Sequence, residues 1–351
     1  MIEIARHFAV DADFISAESY GNGHINETYL VTTTAGRYIM QRINNSIFRN
    51  VDGLMRNVAA VTDYLAASDP DPRHVLRPVL TVEGGLYCLV DGGYWRMYNF
   101  IENSICLEAA KTADDFRMSA EAFGGFQRQL ADFSANTLTE TIARFHDTAD
   151  RYRIFREAVN ADPMGRAGDV QREIEFALER QEEAGSMIKM LAKGELPLRV
   201  THNDTKLNNV LLDAVTRRPL CVIDLDTVMP GLAGNDFGDS IRFGASTAAE
   251  DERDLGKVRF SMELYEAYSQ GFLDACGDAL TDNELETLPL CAKLMTLECG
   301  VRFLTDYIMG DTYFRIHRPG HNLDRCRTQF KLVQEMEHKW DAMRHVIDSL
   351  R

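Results

Sequence analysis

The chain has 351 residues, of which 45% are hydrophobic and 26% are charged, the composition of a soluble globular protein long enough for two domains or lobes. The formal net charge of -16 disfavours nucleic acid and an anionic membrane surface as partners, because both are themselves negatively charged. The seven cysteines are odd in number and show no paired spacing. Because the sequence also shows no secretory signal and no long apolar segment, we expect a cytoplasmic location. No feature implies a protein partner.

The N-terminal part, residues 1–101, predicts a lobe built mostly from β-strands. The stretch YGNGHIN at residues 20–26 predicts a turn in which Gly21 and Gly23 let the backbone approach phosphate oxygens closely. A hairpin turn that needs glycine for its own geometry explains the same residues equally well.

Hydrophobic periodicity predicts the other elements along the chain. Strand-like patterns cover residues 27–31, 37–43 and 94–102, and helical spacing covers residues 51–67, 116–133, 169–193, 251–275, 283–309 and 322–349. The aromatic residues of the second helix form a core stripe, and the third is predicted to be one amphipathic helix with a solvated face. His146, in a polar loop cluster, is expected to have a structural or supporting role.

Residues 198–226 have a different pattern, in which short apolar runs are separated by polar loops. The runs are 198–200, 210–212 and 221–223. Their length and β-branched content predict strand, loop, strand, turn, strand. The first loop carries His202, Asp204 and Asn209, and Asp224 follows the last run.

These polar residues suit phosphoryl transfer. Asn209 and Asp224 offer hard oxygen ligands of the kind that Mg²⁺ prefers, whereas Zn²⁺ would require a cluster of Cys and His. Asp204 can accept a hydrogen bond from a substrate hydroxyl and orient it for in-line attack on a phosphorus atom. Strand alternation would place Asp226 on the same face as Asp224, which leaves a supporting role or a second metal open for Asp226.

The stretch HNDTKLNN at residues 202–209, followed by IDLDT at 223–227, contains the pattern H-x-D-x-x-x-x-N and then an aspartate. It resembles the catalytic segment of the aminoglycoside-phosphotransferase-like kinases, a protein-kinase-like family that phosphorylates small molecules. The resemblance implies ATP as the donor, Mg²⁺ as the cofactor and an α/β (α+β) fold of two lobes. Residues 1–101 would form a small β-rich nucleotide-binding lobe with a hinge near 99–102. Residues 102–351 would form a larger, mostly helical lobe for catalysis and substrate binding.

The same resemblance implies roles for individual residues. Asp204 would be catalytic, Asn209 and Asp224 would bind metal, and His202, Asp226 and Asp236 would support the site. The nucleotide would contact Gly21, Gly23, Gln41, Asn99, Phe100 and Ile101. The family's usual Lys–Glu ion pair is missing, because Gln41 stands where the lysine is expected and the centre of helix 51–67 is alanine. A neutral donor, glycine-turn amides and magnesium are expected to hold the phosphates instead.

The longer stretches, including DFGDSIRFGAST at residues 236–247 and the turn 20–26, are most similar to a branch of the family that phosphorylates the anomeric hydroxyl of N-acetylhexosamines. This resemblance implies that His24, Arg302 and Tyr313 contact the sugar together with Asp204. On spacing alone, Arg302 would belong to a salt-bridged surface stripe with Glu298 and Asp306, which lie one helical turn before and after it.

Two alternatives stay open. The acceptor could be another alcohol, such as an aminoglycoside, homoserine, choline or methylthioribose. The chain could also be a nucleotide-binding pseudokinase, which the missing Lys–Glu pair favours and the intact Asp204, Asn209 and Asp224 oppose.

Overall fold

The computed structural model describes residues 1–21 and 25–351, so Gly23 and His24 lie outside the described residues. The strands are β1 (Phe14–Ser19), β2 (Glu27–Thr33), β3 (Arg37–Ile43), β4 (Pro78–Val79), β5 (Cys88–Val90), β6 (Gly93–Asn99), β7 (Ser104–Cys106), β8 (Arg199–Thr201), β9 (Val210–Asp213), β10 (Pro219–Val222) and β11 (Met229–Gly231). The helices are α1 (Ile2–Ala5), α2 (Val51–Ser68), α3 (Ala113–Gln129), α4 (Thr148–Ala161), α5 (Gln171–Glu179), α6 (Gln181–Ala184), α7 (Ser186–Ala192), α8 (Ala233–Gly244), α9 (Met262–Cys276), α10 (Asp282–Met309), α11 (His321–His338) and α12 (Trp340–Ser349). In the described part of the chain, no helix has the length and apolar composition that a membrane span requires.

An antiparallel sheet forms the N-terminal part, with the strand order β1-β2-β3-β6-β4 and β5 paired to β6. The β2–β3 hairpin turns at residues 34–36 around the Thr33 hydroxyl. Hydrophobic clusters cover both faces of β6. Residues 4–8 pack on the side of Met97, and α2 packs on the side of Tyr98. The middle of β6, which includes the charged residue Arg96, is therefore buried.

The larger C-terminal part is helical, and α10 is its central helix, with α4, α8, α11 and α12 around it. α10 begins with a capping box formed by Thr281 and Glu284. It ends at Gly310, whose φ of 101° is a left-handed conformation that glycine adopts without strain. α3 and α9 pack together beside α8 around Phe237. The expected α+β arrangement, a β-rich N-terminal part followed by a larger helical part, is confirmed.

Two small sheets present the polar loops of residues 198–226. β9 pairs with β10 and β7, and β8 pairs with β11. The three strands predicted in this segment are β8, β9 and β10, so that prediction is confirmed. β7 follows β6 closely in the chain and pairs with β9, which brings the end of the N-terminal sheet next to residues 198–226.

The predicted amphipathic helix 169–193 is wrong as a single element. It is divided into a 3-10 turn, α5, α6 and α7, with interruptions at Arg180 and Gly185. Arg180 donates to the Phe176 carbonyl and to Glu337 of α11, so its side chain is committed to tertiary contacts at the interruption. Leu178, expected on the buried face, is 41% exposed.

Two other helices differ in extent. The helix expected from residue 251 begins only at Met262, because the Ser261 hydroxyl caps it by accepting the Leu264 N–H at 3.2 Å. The helix expected over 322–349 is broken at Lys339 into α11 and α12.

Candidate active site

A buried carboxylate fixes the loop that follows β8. Asp236, in the first turn of α8, accepts the backbone N–H groups of His202 at 2.9 Å and Asn203 at 2.7 Å. It also accepts the Gln127 side chain at 2.7 Å. Burial raises the pKa of Asp236, and the hydrogen bonds from the two backbone N–H groups act in the opposite direction by favouring its charged form. The loop is thereby tied to α8 before it reaches Asp204.

His202 lies in the protein interior beneath this loop. Its side chain is fully buried, and its ring meets the edges of Phe123 and Phe126 at centroid distances of 5.5 Å and 6.1 Å. Its Nε2 donates to the Ile223 carbonyl at 2.9 Å, and its Nδ1 accepts the Asp204 N–H at 3.3 Å. His202 therefore joins the loop to the end of β10 and does not face the cleft.

Asp204 reaches the surface of a cleft and is held on both sides. Lys206 Nζ lies 2.9 Å from Asp204 Oδ1. Asn209 Nδ2 donates to the Asp204 backbone carbonyl at 2.7 Å and to Asp204 Oδ2 at 3.2 Å. Desolvation in the cleft lowers the pKa of Lys206, but the charge of Asp204, the hydrogen bond to it and the charge of Asp239 together outweigh this effect, so the pKa of Lys206 is raised. Because the amide nitrogen of Asn209 is committed to Asp204, its amide oxygen is left for another ligand.

Asp224 and Asp226 have different surroundings, although only Leu225 separates them. Asp224 has a left-handed φ of 59°, after which Leu225–Thr227 forms a 3-10 turn. The expectation that strand alternation puts the two carboxylates on one face is therefore wrong. Asp224 is exposed to the cleft, whereas Asp226 is 3% exposed. Both Asp226 oxygens are occupied, Oδ1 by an ion pair with Arg96 and Oδ2 by Asn26 Nδ2 at 2.7 Å.

The donor set fits a hard divalent cation bound together with phosphates. Asp224 opens to the cleft, but the protein atoms that surround the cleft reduce its hydration, and this desolvation, with the nearby charges of Asp226 and Asp204, raises the pKa of Asp224 to about 6. A bound cation would relieve this repulsion. Among the described residues no group of three or more His, Cys, Asp or Glu side chains could hold a metal ion alone. Asn209 Oδ1 and Asp224 could supply part of an octahedral shell, which Mg²⁺ usually completes with water and phosphate oxygens.

A cleft cavity of about 580 Å³ connects the N-terminal sheet with the loop that carries Asp204. The structure brings most of the predicted site residues together here. The cavity is lined by Gly21, Gln41, Asn99, Phe100, Ile101, Asp204, Asn209 and Asp224. Apolar side chains line it too, namely Ile39, Leu76, Leu211, Ile223 and Leu225. Such a lining suits a ligand that has a flat apolar ring at one end and a polar, anionic group at the other.

The expected hinge offers fewer free backbone groups than the sequence suggested. The N–H of Asn99 donates to Arg77 O at 3.2 Å, and the N–H of Phe100 donates to Arg37 O at 3.1 Å. Within residues 1–21 and 25–351, the Ile101 N–H and the Phe100 carbonyl have no backbone partner. These two groups border the cavity and could hydrogen-bond to the edge of a purine ring.

Arg302 and Tyr313 do not line this cavity. They form a second cluster, in which the Arg302 guanidinium lies 5.5 Å from the ring centres of Phe145 and Phe314 and 5.9 Å from that of Tyr313. Tyr313 is 65% exposed. This arginine–aromatic cluster borders the loop that carries Asp204. The contact runs through His146, next to Phe145, whose Nε2 lies 3.2 Å from the Asn203 carbonyl.

The surface-stripe interpretation of α10 is wrong, because Glu298 and Asp306 are buried. Glu298 contacts His146 Nδ1 at 3.0 Å and accepts the Thr148 hydroxyl at 2.6 Å. Asp306 accepts the backbone N–H groups of the loop that carries Tyr313, at 2.8–2.9 Å for residues 312–314. Both carboxylates thus organise neighbouring segments, and no described residue forms an ion pair with Arg302.

Several residues at the site had no predicted role. Lys206 stands in the catalytic stretch itself, and its two-residue distance from Asp204 could have indicated a contact. Arg96 is a charged residue inside an otherwise apolar strand, a pattern that indicates a buried ion pair. Arg151, whose Nη2 donates to Phe145 O at 2.8 Å, adds a second guanidinium beside the arginine–aromatic cluster. Burial lowers the pKa of Arg151, and the positive charge of Arg302 lowers it further.

Comparison with known proteins identifies the class of protein that this fold and site define. Residues 16–277 match the model of the phosphotransferase enzyme family. Because that match covers most of the chain, the protein belongs to this phosphotransferase family, whose aminoglycoside and choline kinase-like members use ATP to phosphorylate alcohols on small molecules.

Solved structures with the same protein-kinase-like fold include small-molecule kinases. An aminoglycoside phosphotransferase from Alicyclobacillus acidocaldarius is 11% identical with a TM-score of 0.65, and the alignment covers 100% of this chain and 97% of that one. A spectinomycin phosphotransferase in complex with ADP and spectinomycin is 14% identical with a TM-score of 0.60, covering 97% of each chain. A microcompartment-associated aminopropanol kinase is 17% identical with a TM-score of 0.58, covering 98% of this chain and 99% of that one. These identities establish a shared fold and leave the acceptor open.

Proposed function

We propose that this protein is an N-acetylhexosamine 1-kinase. It would transfer the γ-phosphoryl group of ATP to the anomeric hydroxyl of N-acetylglucosamine or N-acetylgalactosamine, giving the sugar 1-phosphate and ADP. The similarity of residues 202–209, 223–227 and 236–247 to that branch of the family supports the sugar. The observation that carries the choice of a neutral acceptor is the arginine–aromatic cluster beside the catalytic loop.

The charges around this cluster argue against a cationic acceptor. A cationic acceptor, whether a protonated amine or the quaternary ammonium group of choline, needs unpaired carboxylates or aromatic faces that no other cation occupies. The rings of Phe145, Tyr313 and Phe314 already face the Arg302 guanidinium. Glu298 already contacts His146 and Thr148, and Asp306 accepts backbone N–H groups. The guanidinium groups of Arg302 and Arg151 give the cluster a positive charge. A sugar hydroxyl or an acetamido carbonyl can accept hydrogen bonds from guanidinium groups, and aromatic rings can cover its apolar face.

In the proposed reaction, the sugar O1 attacks the γ-phosphorus atom in line with the bond to the β–γ bridging oxygen, and that bond breaks as ADP leaves. Asp204 orients the O1 hydroxyl and accepts its proton. Lys206 Nζ, which is 2.9 Å from Asp204 Oδ1, helps to hold this carboxylate in position. His202, Asp226 and Asp236 support the loop and do not react.

The nucleotide would bind in the cleft cavity. Gly21, Gln41, Asn99, Phe100 and Ile101, which line it, would contact ATP, and the unpartnered backbone groups at residues 100 and 101 would bind the adenine edge. Mg²⁺ would be held by Asn209 Oδ1 and Asp224, and when bound it neutralises charge on the β- and γ-phosphates. In this arrangement residues 1–101 form the nucleotide-binding lobe and residues 102–351 the catalytic and acceptor lobe.

A coupled ADP-release assay over a panel of acceptors tests the proposal. The panel contains N-acetylglucosamine, N-acetylgalactosamine, glucose, galactose, methylthioribose, homoserine, choline and two aminoglycosides. We expect turnover with the two N-acetylhexosamines. The phosphorus NMR spectrum of the product should show the signal of a phosphate on the anomeric carbon. Turnover restricted to a cationic acceptor would contradict the sugar assignment and leave phosphotransfer standing.

A pseudokinase is the second candidate, since the Lys–Glu pair is absent. It predicts that MgATP binds without consumption in the presence of any acceptor in the panel. Nucleotide binding measured by calorimetry, together with the ADP-release assay, separates a binding protein from an enzyme.

A further inference from the structure

An arginine is buried in the wall of the nucleotide cavity, in the middle of β6. Arg96 is 1% exposed and stands directly opposite Gln41 in the pairing of β3 with β6. Gln41 is the position at which the lysine of the related kinases is expected. The cation of this site is therefore one strand away from its expected position and lies inside the sheet.

The contacts of Arg96 join three parts of the cleft. Its Nε and Nη2 donate to Gln41 Oε1 at 3.0 Å and 2.8 Å. Its Nη1 forms the ion pair with Asp226 and lies 3.8 Å from Met55 Sδ of α2. Its guanidinium lies 5.1 Å from the ring centre of Tyr98. With its charge matched by Asp226, Arg96 is a satisfied buried cation with little left for a ligand.

These contacts determine which way the Gln41 amide points. An arginine can only donate hydrogen bonds, so the Gln41 atom that faces Arg96 must be the amide oxygen. The amide nitrogen then faces the other way, where it donates to Thr28 Oγ1 at 3.1 Å. Both Gln41 and Thr28 line the nucleotide cavity. The second N–H of this amide is available to an acceptor in the cavity.

We propose that Arg96 is a positioning residue for the nucleotide phosphates and replaces the missing Lys–Glu pair. It orients Gln41 as a neutral donor toward the phosphates, and it anchors Asp226, which holds the turn that presents Asp224 to the cleft. This inference rests on the proposed function only in taking a nucleoside triphosphate as the ligand, and it does not depend on the identity of the acceptor.

The proposal has a consequence that runs against the family pattern. Gln41→Lys would restore the residue expected in related kinases, yet it would place a second cation against the buried Arg96 and remove the acceptor of two Arg96 hydrogen bonds. Like charges in a buried site repel strongly. We therefore expect Gln41→Lys to weaken nucleotide binding, whereas a phosphate site that merely lacks its lysine would be improved by it.

The test compares Gln41→Lys, Gln41→Met and Arg96→Lys with the wild-type protein. Affinity for MgADP is measured by calorimetry without acceptor, the KM for ATP and kcat by ADP release, and folding by thermal melting. Gln41→Met, which keeps the chain length without the amide, should weaken nucleotide binding about tenfold, as expected for the loss of one enclosed hydrogen bond. Gln41→Lys should weaken it by at least as much.

Arg96→Lys tests the positioning step, because lysine keeps the charge but cannot donate to Gln41 and Asp226 in the same fork geometry. We expect kcat/KM for ATP to fall about tenfold or more, and we expect Gln41→Met to add little in the Arg96→Lys background, because the two residues act as one unit. Arg42→Lys is the matched control. Arg42 neighbours Gln41 on β3, but its side chain pairs with Glu27 at 3.0 Å and is 43% exposed, so its nucleotide kinetics should match the wild type.

Tighter or unchanged nucleotide binding by Gln41→Lys would overturn the proposal, and so would independent effects of the Gln41 and Arg96 variants. If Arg96→Lys fails to fold, the nucleotide affinities of Gln41→Lys and Gln41→Met still test the proposal. Wild-type protein that binds MgADP but phosphorylates none of the sugars would remove the sugar assignment and leave this test intact. Wild-type protein that binds no nucleotide would overturn both proposals.

Discussion

Asp204 has a charge partner and an orienting amide on opposite oxygens of its carboxylate. Lys206 lies 2.9 Å from Oδ1 and Asn209 Nδ2 lies 3.2 Å from Oδ2. Replacement by asparagine preserves the shape but removes the proton acceptor. We expect Asp204→Asn to lower kcat by about 10²- to 10⁴-fold, the usual contribution of a general base, with the affinity for MgADP changed by no more than a few-fold. A variant that retains nearly full kcat would show that another group takes the proton.

Asp224 and Asp226 provide a matched pair for the metal assignment. Asp224→Ala removes a ligand that faces the cleft, so we expect activity to be lost at every Mg²⁺ concentration while the melting temperature changes little. Asp226→Asn keeps the shape of the side chain, and with it the turn that presents Asp224, but it weakens the partner of buried Arg96. Its main effect should therefore be on stability, with the Mg²⁺ dependence of the remaining activity unchanged. Magnesium titrations of kcat and thermal melts of both variants give the comparison. If the two variants exchanged these effects, the metal would belong at Asp226.

Single residues differ in how far the sequence reveals them. The placement of Asp204, Asn209 and Asp224 at one cleft could be predicted, because their spacing is local and the flanking strands are short and apolar. The Arg96–Gln41 contact could not, because it depends on the register of β3 against β6, across 55 residues of chain. The different surroundings of the Asp224 and Asp226 side chains could not be predicted either. It arises from one left-handed residue after β10, which replaces strand alternation with a 3-10 turn.

At the scale of elements, α10 connects the loop that carries Asp204 to the proposed acceptor site. Glu298 contacts His146, which in turn contacts the carbonyl of Asn203, and Asp306 holds the loop after α10 through three backbone N–H groups. The helical spacing of these carboxylates was visible in the sequence. Their burial was not, since a charged i, i+4 stripe is more often a solvated face.

Arg302 and Tyr313 test whether this part of α10 and its following loop form the sugar pocket. Losing a hydrogen-bond partner that a bound sugar would cover costs roughly 1–3 kcal/mol. We therefore expect Arg302→Ala and Tyr313→Phe to raise the KM for N-acetylhexosamine or to lower kcat/KM, with the KM for ATP within a few-fold of the wild type. Steady-state kinetics with each substrate varied in turn measure both constants.

Arg327→Ala is the control for that experiment. Arg327 of α11 pairs with Glu173 at 2.6 Å and its side chain is 41% exposed, and exposed ion pairs contribute little to stability. It should leave both Michaelis constants unchanged. If Arg302→Ala behaved like Arg327→Ala, and Tyr313→Phe also left sugar kinetics unchanged, the sugar pocket would lie elsewhere and the kinase assignment would stay with Asp204, Asn209 and Asp224.

The division of residues 169–193 shows why helix boundaries were less predictable than helix faces. The apolar spacing of this segment is helical, and the observed pieces are helical too. The interruptions depend on Arg180, whose guanidinium reaches Glu337 on a distant helix, and on Gly185. Local periodicity contains no information about such a partner, so one continuous helix was the natural prediction.

At the scale of the whole molecule, the N-terminal sheet and the helical part are joined by a few buried polar contacts around the cleft. Asn26 and Arg96 reach Asp226. Asn57, on α2, donates to the carbonyls of Thr139 at 2.7 Å and Val228 at 2.9 Å, and it accepts the Thr139 N–H at 2.8 Å. Where the related kinases are expected to have a glutamate on this helix, the chain has an asparagine two residues before the Ala59–Ala60 pair, and this asparagine binds the C-terminal part through backbone groups.

Asn57 is 2% exposed, so its removal should weaken the junction between the two parts. Asn57→Ala leaves two carbonyls and one N–H without a partner in a buried place. We expect the free energy of unfolding to fall by roughly 2–3 kcal/mol, because unsatisfied buried polar groups carry a desolvation cost of that order. Urea unfolding followed by fluorescence measures the change. Asp63→Ala, at an exposed position on the same helix, should change the free energy by no more than about 0.5 kcal/mol. If the two variants unfolded at the same urea concentration, α2 would be held to the C-terminal part by its apolar face alone, and the buried asparagine would contribute nothing to the junction.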